Sequence, residues 1–209
     1  MTQTAYEAEV LRHWAGQSDG AHDLGHLRRV WANAQTIARA MGGADMDVLC
    51  AACFFHDVVN LPKDAPDRAT ASARSAEVAV AYLRGAGFAA HKLDAVAHAI
   101  AAHSFSAAIP PQTTEAKIVQ DADRLEALGA IGIARMFHVA GAMQGGLFDA
   151  DDPMALRRPL DDRRFALDHL QVKLFRVVET MRTAAGREMA LERADWMASF
   201  RTRLLGEIE

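Results

Sequence analysis

The sequence predicts an all-α fold, and three observations carry that prediction. Apolar residues recur at three- and four-residue steps, the period of one helix face. Ala, Leu, Met, Arg and Glu, which lose little rotamer freedom in a helix, dominate the composition. No apolar–polar alternation runs beyond a few residues, and there is no internal repeat or low-complexity tract.

Taken in order, the first stripe is Leu27, Val30, Ala34, Ile37, Ala38 and Met41, stopped by Gly42-Gly43 in the manner of a C-terminal cap. A second helix is expected from about Asp47 through Asp57, and the loop from Asn60 to Arg68 follows because Pro62 and Pro66 cannot continue a helix. Helices near 69–85 and 91–104 are separated by Gly85 and Gly87. Pro110-Pro111 then breaks the chain before a long helical segment near 114–143. Residues from Gln144 to about Asp161 are rich in Gly, Asp and Pro and read as a loop. Two amphipathic helices, roughly 162–185 and 187–207, close the chain and divide near Gly186. The expected organisation is one domain over 1–209, with a core at about 20–140 and a C-terminal helical extension at about 162–207.

At 209 residues, 51% apolar and 24% charged, the composition is that of an ordinary globular chain. A formal charge of −4 offers no basic face for duplex nucleic acid. No apolar stretch reaches membrane-span length, and the N-terminus is acidic where a signal peptide is positive, so a cytoplasmic protein is expected. Oligomeric state is left open. Cys50 and Cys53 have the spacing of half a zinc site, but no second pair follows, and they read as small buried hydrophobes.

The most informative segment is Phe54-Phe55-His56-Asp57-Val58-Val59, which ends an apolar helix on a histidine and an aspartate. Polar groups in such a place are costly without a partner, and a divalent cation is one that imidazole and carboxylate ligate together. His26 opens the helix upstream, and Asp123 lies downstream in Gln120-Asp121-Ala122-Asp123-Arg124-Leu125. Two imidazoles and two carboxylates suit Mn, Fe, Co, Ni or Zn better than Ca, with Mg also admissible.

The order His26…His56-Asp57…Asp123, each member on its own helix, makes the chain resemble the HD-domain phosphohydrolase superfamily. The resemblance extends through Ala99-Ile-Ala-Ala-His103-Ser-Phe-Ser106, Glu115 to Arg135 and His169-Leu-Gln-Val-Lys173, covering about 20–200 of a bacterial single-domain subgroup. It implies an HD-type helical bundle with two additional C-terminal helices, one divalent ion with Mn preferred, and a nucleotide pyrophosphohydrolase-like activity. The superfamily pattern Ala-Asp-x-Leu selects Asp123 as fourth ligand. Asp121, two positions earlier, points about 200° away on a helix and is the substitute, or else orients a ligand histidine.

Binuclear members of the superfamily carry adjacent histidines between the His-Asp pair and the last aspartate. Here His98 and His103 are five apart, which favours a single ion and leaves His103 as phosphate donor or general acid beside the catalytic Asp57. Cationic candidates for substrate phosphate are Lys63, Arg124, Arg135 and Lys173, with Arg28 and Arg29 as weaker ones, and Phe105, Phe137 and Phe148 are candidates for an apolar wall against a base. The expected partner is therefore a small phosphorylated molecule, most simply a nucleotide. Nucleoside monophosphate hydrolysis, phosphodiester cleavage and a non-catalytic nucleotide-binding module stand as alternatives.

Overall fold

The computed structural model describes residues 2–15, 23–61 and 65–208. Their regular structure is helical, and the one β element among them is an isolated parallel bridge between Gly146 and Phe165. The chain divides into two compact units, Met1–Asp123 and Arg124–Glu209. That boundary falls well before the residue near 140 at which the expected core ended.

The first unit is built around its most apolar helix. It comprises α1 (Gln3–Trp14), α2 (Leu24–Ala40), α3 (Met46–Phe55), α4 (Ala71–Gly85), α5 (Leu93–His103) and α6, which begins at Thr114. Asp45 caps α3 by accepting from the amides of Asp47 and Val48. Val48, Leu49, Ala51, Ala52, Cys53, Phe54 and Phe55 of α3 are all buried, and the helix packs against α1, α2, α4 and α5. Full burial of each Phe contributes on the order of 1.5–3 kcal/mol, so α3 is the piece around which the others assemble. Burial holds the Cys53 thiol well above its ordinary range and raises Cys50 to about 11, and both cysteines are free thiols.

Helix α1 was not anticipated. Only Tyr6, Glu7 and Val10 of it are buried, too few to mark a stripe. Tertiary contacts secure it instead: the Tyr6 ring meets Phe55 edge-on at 5.5 Å, and Arg28 of α2 donates to Glu7 from Nε at 2.8 Å and Nη2 at 2.7 Å. Arg28, a weaker candidate for phosphate, is thus committed to a paired carboxylate. Its hydrogen bonds hold the Glu7 carboxyl down at about 2, from an ordinary 4.5. A depressed folded-state value adds stability that is present above pH 4.5 and lost as pH falls from there towards 2. Glu7→Gln is therefore expected to lower the denaturation midpoint at neutral pH, with the difference from wild type closing by about pH 2. A midpoint difference that is constant across that range would disprove the linkage.

In the second unit α6 has ended at Arg124, and a 3-10 turn over Leu125–Ala127 leads into α7 (Gly129–Ala142). The expected 114–143 helix is thereby broken in two. Gly132 permits the tight turn, since a Cβ there would stand 2.3 Å from the Ala127 carbonyl oxygen. Helix α7 packs on α9 (Ala184–Leu205), where Phe137 meets Phe200 edge-on.

The expected helix over 162–185 is only α8 (Asp168–Val172) followed by a 3-10 segment over Leu174–Thr180. Side-chain hydrogen bonds to the backbone explain this. Asp161 accepts from the amides of Arg163 and Arg164, and buried Asp168 accepts from the Asp161 amide and, bidentately, from Arg158. Such bonds give the chain an alternative to helical pairing. No single helix among the described residues is long and apolar enough to cross a membrane; the α6–α7 pair matches one in length and composition only across a 64° bend.

Candidate metal centre

Three helix ends in the first unit deliver the polar side chains. The Asp23 carboxylate caps α2 by accepting from the His26 amide at 2.8 Å, which puts His26 in the first turn above the buried stripe of Leu27, Val30 and Ala34. His56 is the C-cap of α3, and its Nδ1 donates to the Cys53 carbonyl at 2.8 Å. His103 ends α5 and repeats the device, with Nδ1 donating to the Ile100 carbonyl at 2.6 Å. Each bond occupies a carbonyl that a helix C-terminus leaves without an amide. Because a carbonyl only accepts, Nδ1 carries the proton on both rings and Nε2 is turned inward with its lone pair.

Two buried amides set the register of α6 against these ends. Asn33 of α2 donates to the Ala122 carbonyl at 3.2 Å, and Gln120 of α6 donates to the Ala102 carbonyl at 2.7 Å. Sequence reasoning missed both residues. Asn33 did leave a signal, a polar residue seven positions after His26 on the stripe that includes Val30 and Ile37.

The side chains converge closely. His26 Nε2 is 3.2 Å from His56 Nε2, 3.5 Å from Asp123 Oδ1 and 3.8 Å from Asp57 Oδ2. His56 Nε2 is 3.6 Å from Asp57 Oδ2 and 3.7 Å from Asp123 Oδ1. The two imidazoles are wholly buried, while the side chains of Asp57 and Asp123 are 20% and 28% exposed, so histidines make the floor and carboxylates the open rim. The other oxygen of Asp57, Oδ1, faces His103 Nε2 at 3.5 Å. His56, Asp57 and His103 thus form a second cluster that shares His56 with the cluster of His26, His56 and Asp123.

These donors fit a divalent ion. Ligand bonds of about 2.0–2.2 Å separate neighbouring donors by roughly 3–3.5 Å, close to the spacings found. Inward lone pairs and two carboxylates repel one another unless positive charge lies among them. The same demand governs protonation. Burial alone would push the His56 imidazole down, but Asp57 and Asp123 outweigh it and hold it up at about 9. Burial would raise both carboxyls, yet the surrounding histidines hold Asp57 and Asp123 below the usual carboxylate range.

The remaining candidates are distributed as follows. Asp121 is fully buried and lies outside both clusters. His98 accepts from the Gln112 amide at 2.9 Å and so anchors the loop that follows α5. Lys63 lies outside the described residues. Arg124, Arg135 and Lys173 belong to the second unit: Arg124 donates to the Thr180 carbonyl at 2.5 Å, Arg135 lies 3.8 Å from Glu126, and Lys173 is exposed.

The chain is similar to known proteins over most of its length. The family model of the HD domain matches residues 23–128, the span that contains all four converging side chains. The uncharacterised protein YpgQ of Bacillus subtilis strain 168 is 32% identical over 211 residues, which span 97% of this chain and 94% of YpgQ. The crystal structure of an HD-superfamily hydrolase from Bacillus thuringiensis superposes with a TM-score of 0.75 at 29% identity, covering 98% of this chain and 95% of that one. Bacillus subtilis YpgQ in complex with ADP superposes with a TM-score of 0.74 at 31% identity, covering 98% and 94%.

Proposed function

The chain belongs to the HD-domain family, and on that premise we propose that it is a metal-dependent phosphohydrolase acting on nucleotides, splitting nucleoside triphosphates into monophosphate and pyrophosphate. One observation carries the reading: on three separate helices, the Nε2 atoms of His26 and His56 lie 3.2 Å apart and each lies 3.5–3.8 Å from an oxygen of Asp57 and of Asp123, on a partly open rim. His26, His56, Asp57 and Asp123 would hold a single divalent ion, with Mn preferred. When bound, the ion supplies Lewis-acid activation of the attacking water and of the phosphorus centre.

The chain's own residues supply the rest. With its Nδ1 proton committed to Ile100, His103 exchanges protons through Nε2 alone, and Asp57 Oδ1 orients that atom. When Nε2 beside Asp57 Oδ1 carries a proton as well, His103 passes that proton to the leaving phosphate oxygen and returns to the neutral ring, with Nδ1 still bonded to Ile100. Of the cationic candidates, Lys63 belongs to the chain segment of the first unit and is the candidate phosphate contact, outside the described residues. Nucleotides are favoured as substrates because YpgQ, a relative over nearly the whole chain, has been crystallised with ADP.

The decisive experiment incubates the protein with Mn²⁺ and a panel of nucleoside triphosphates, monophosphates and phosphodiesters, and separates pyrophosphate from phosphate. Pyrophosphate with nucleoside monophosphate is the expected product pair. Phosphate alone would redirect the reading to a monoesterase. Absence of turnover by protein shown to contain its ion would overturn it.

A further inference from the structure

We propose that Phe105 is the platform on which the base of the bound nucleotide stacks, an inference that rests on the nucleotide reading above. Phe105 is 76% exposed. Within the first unit it is the one exposed aromatic ring among the described residues: Tyr6, Phe54 and Phe55 are buried, and Trp14, Trp31, Tyr82 and Phe88 are partly covered. A single exposed apolar residue is ordinary on a protein surface, so position must decide.

Phe105 stands two residues after His103, whose Nε2 faces Asp57. At most about 7 Å of extended chain separates the two Cα atoms, within the reach of a ribose joining a base to its phosphates. Helix α5 ends at His103, and Ser104 turns extended, with φ −69° and ψ 131°, which leads the next residue away from the helix axis.

The loop that carries the ring is held at several points. Ser104 and Ser106 share a hydroxyl hydrogen bond at 3.1 Å, and Ala108 adopts a left-handed φ of 53°, a conformation that costs a non-glycine residue energy. Pro110 and Pro111 stiffen the far end, and the Gln112 amide is tied back to His98 of α5. A ring mounted in this way loses little freedom when a flat partner settles on it. The other aromatic candidates lie in the second unit, with Phe137 packed against Phe200 and Phe148 half-buried.

Every base has a π-face, so a phenyl platform accepts all of them and favours the larger purines. The structure therefore assigns to this site a broad base tolerance with purine preference.

Phe105→Ala and Phe105→Trp test the assignment, because an exposed ring can be removed without opening the core. Calorimetry in the presence of Mn²⁺ would measure binding of ADP and of tripolyphosphate, which offers a phosphate chain and no base. Phe105→Ala is expected to weaken ADP about tenfold, in line with the loss of one base–aromatic stack, to leave tripolyphosphate unchanged, and Phe105→Trp to restore ADP. Unchanged ADP binding in Phe105→Ala, equal weakening of both ligands, or wild-type protein that binds ADP no more tightly than tripolyphosphate would each overturn the inference. A protein that binds ADP through Phe105 and hydrolyses nothing would uphold it while sinking the phosphohydrolase reading.

Discussion

Asp57→Ala and His56→Ala are each expected to abolish turnover and to lose the bound divalent ion, with helical content by circular dichroism close to wild type. In the proposed site the ion would be held by two imidazoles that lie 3.2–3.8 Å from each other and from an oxygen of Asp57 and of Asp123, and removing one donor would leave the others without enough opposing charge or geometry. The fold should survive because α3 is secured by Phe54, Phe55 and Leu49, all fully buried, and not by its polar end. The same measurement separates the two aspartates of α6. Asp123→Ala should lose the ion outright, since Oδ1 approaches both imidazoles. Asp121→Ala, which removes a buried carboxylate outside the cluster, should weaken metal affinity or activity by about 10–100-fold, as loss of an outer supporting partner does. Metal retained in Asp123→Ala and lost in Asp121→Ala would show that the ligand register is wrong by two residues.

His103→Ala is expected to keep metal stoichiometry near wild type and to lose at least about tenfold in turnover rate, at the lower edge of what a general acid contributes. The Nε2 of His103 reaches only the outer oxygen of Asp57, at 3.5 Å, while the inner oxygen of that carboxylate faces His26 and His56. In the proposed reaction a group so placed would act on the reacting phosphate and not on retention of the ion. Metal analysis beside steady-state kinetics reads the two effects separately. Loss of metal together with activity would make His103 a ligand in the cluster with His56 and Asp57, and kinetics equal to wild type would leave it a helix-end residue bonded to Ile100.

The helical architecture and the three segments that bring the polar residues together were legible from local pattern alone. A stripe such as Leu27, Val30, Ala34 and Ile37 records which helix face is buried, because burial follows the 3.6-residue period. The choice between Asp121 and Asp123 was legible as an alternative for the same reason, since positions two apart on a helix point about 200° from each other. Helix α1 was not legible. Its placement depends on Tyr6 meeting Phe55 and on Glu7 pairing with Arg28, 21 residues away, and neither contact leaves a periodic trace in its own segment. The stretch over 162–185 misled in the opposite direction, because Asp161 and Asp168 divert backbone amides that the periodicity assigned to a helix.

By itself, then, the sequence determined an all-α chain and named the histidines and aspartates that a divalent ion would need, since residue type and helical period are local properties. Only the tertiary structure decided how those side chains face one another. The inward turn of His56 Nε2 depends on the Cys53 carbonyl, that of His103 on the Ile100 carbonyl, and the register of Asp123 on Asn33, 89 positions from the carbonyl it holds. It also decided that Asp57 looks two ways, towards His26 and His56 with one oxygen and towards His103 with the other. Ligand chemistry is carried by residue identity, whereas tautomer, register and distance arise only when separate helices pack and their unpaired backbone groups find partners.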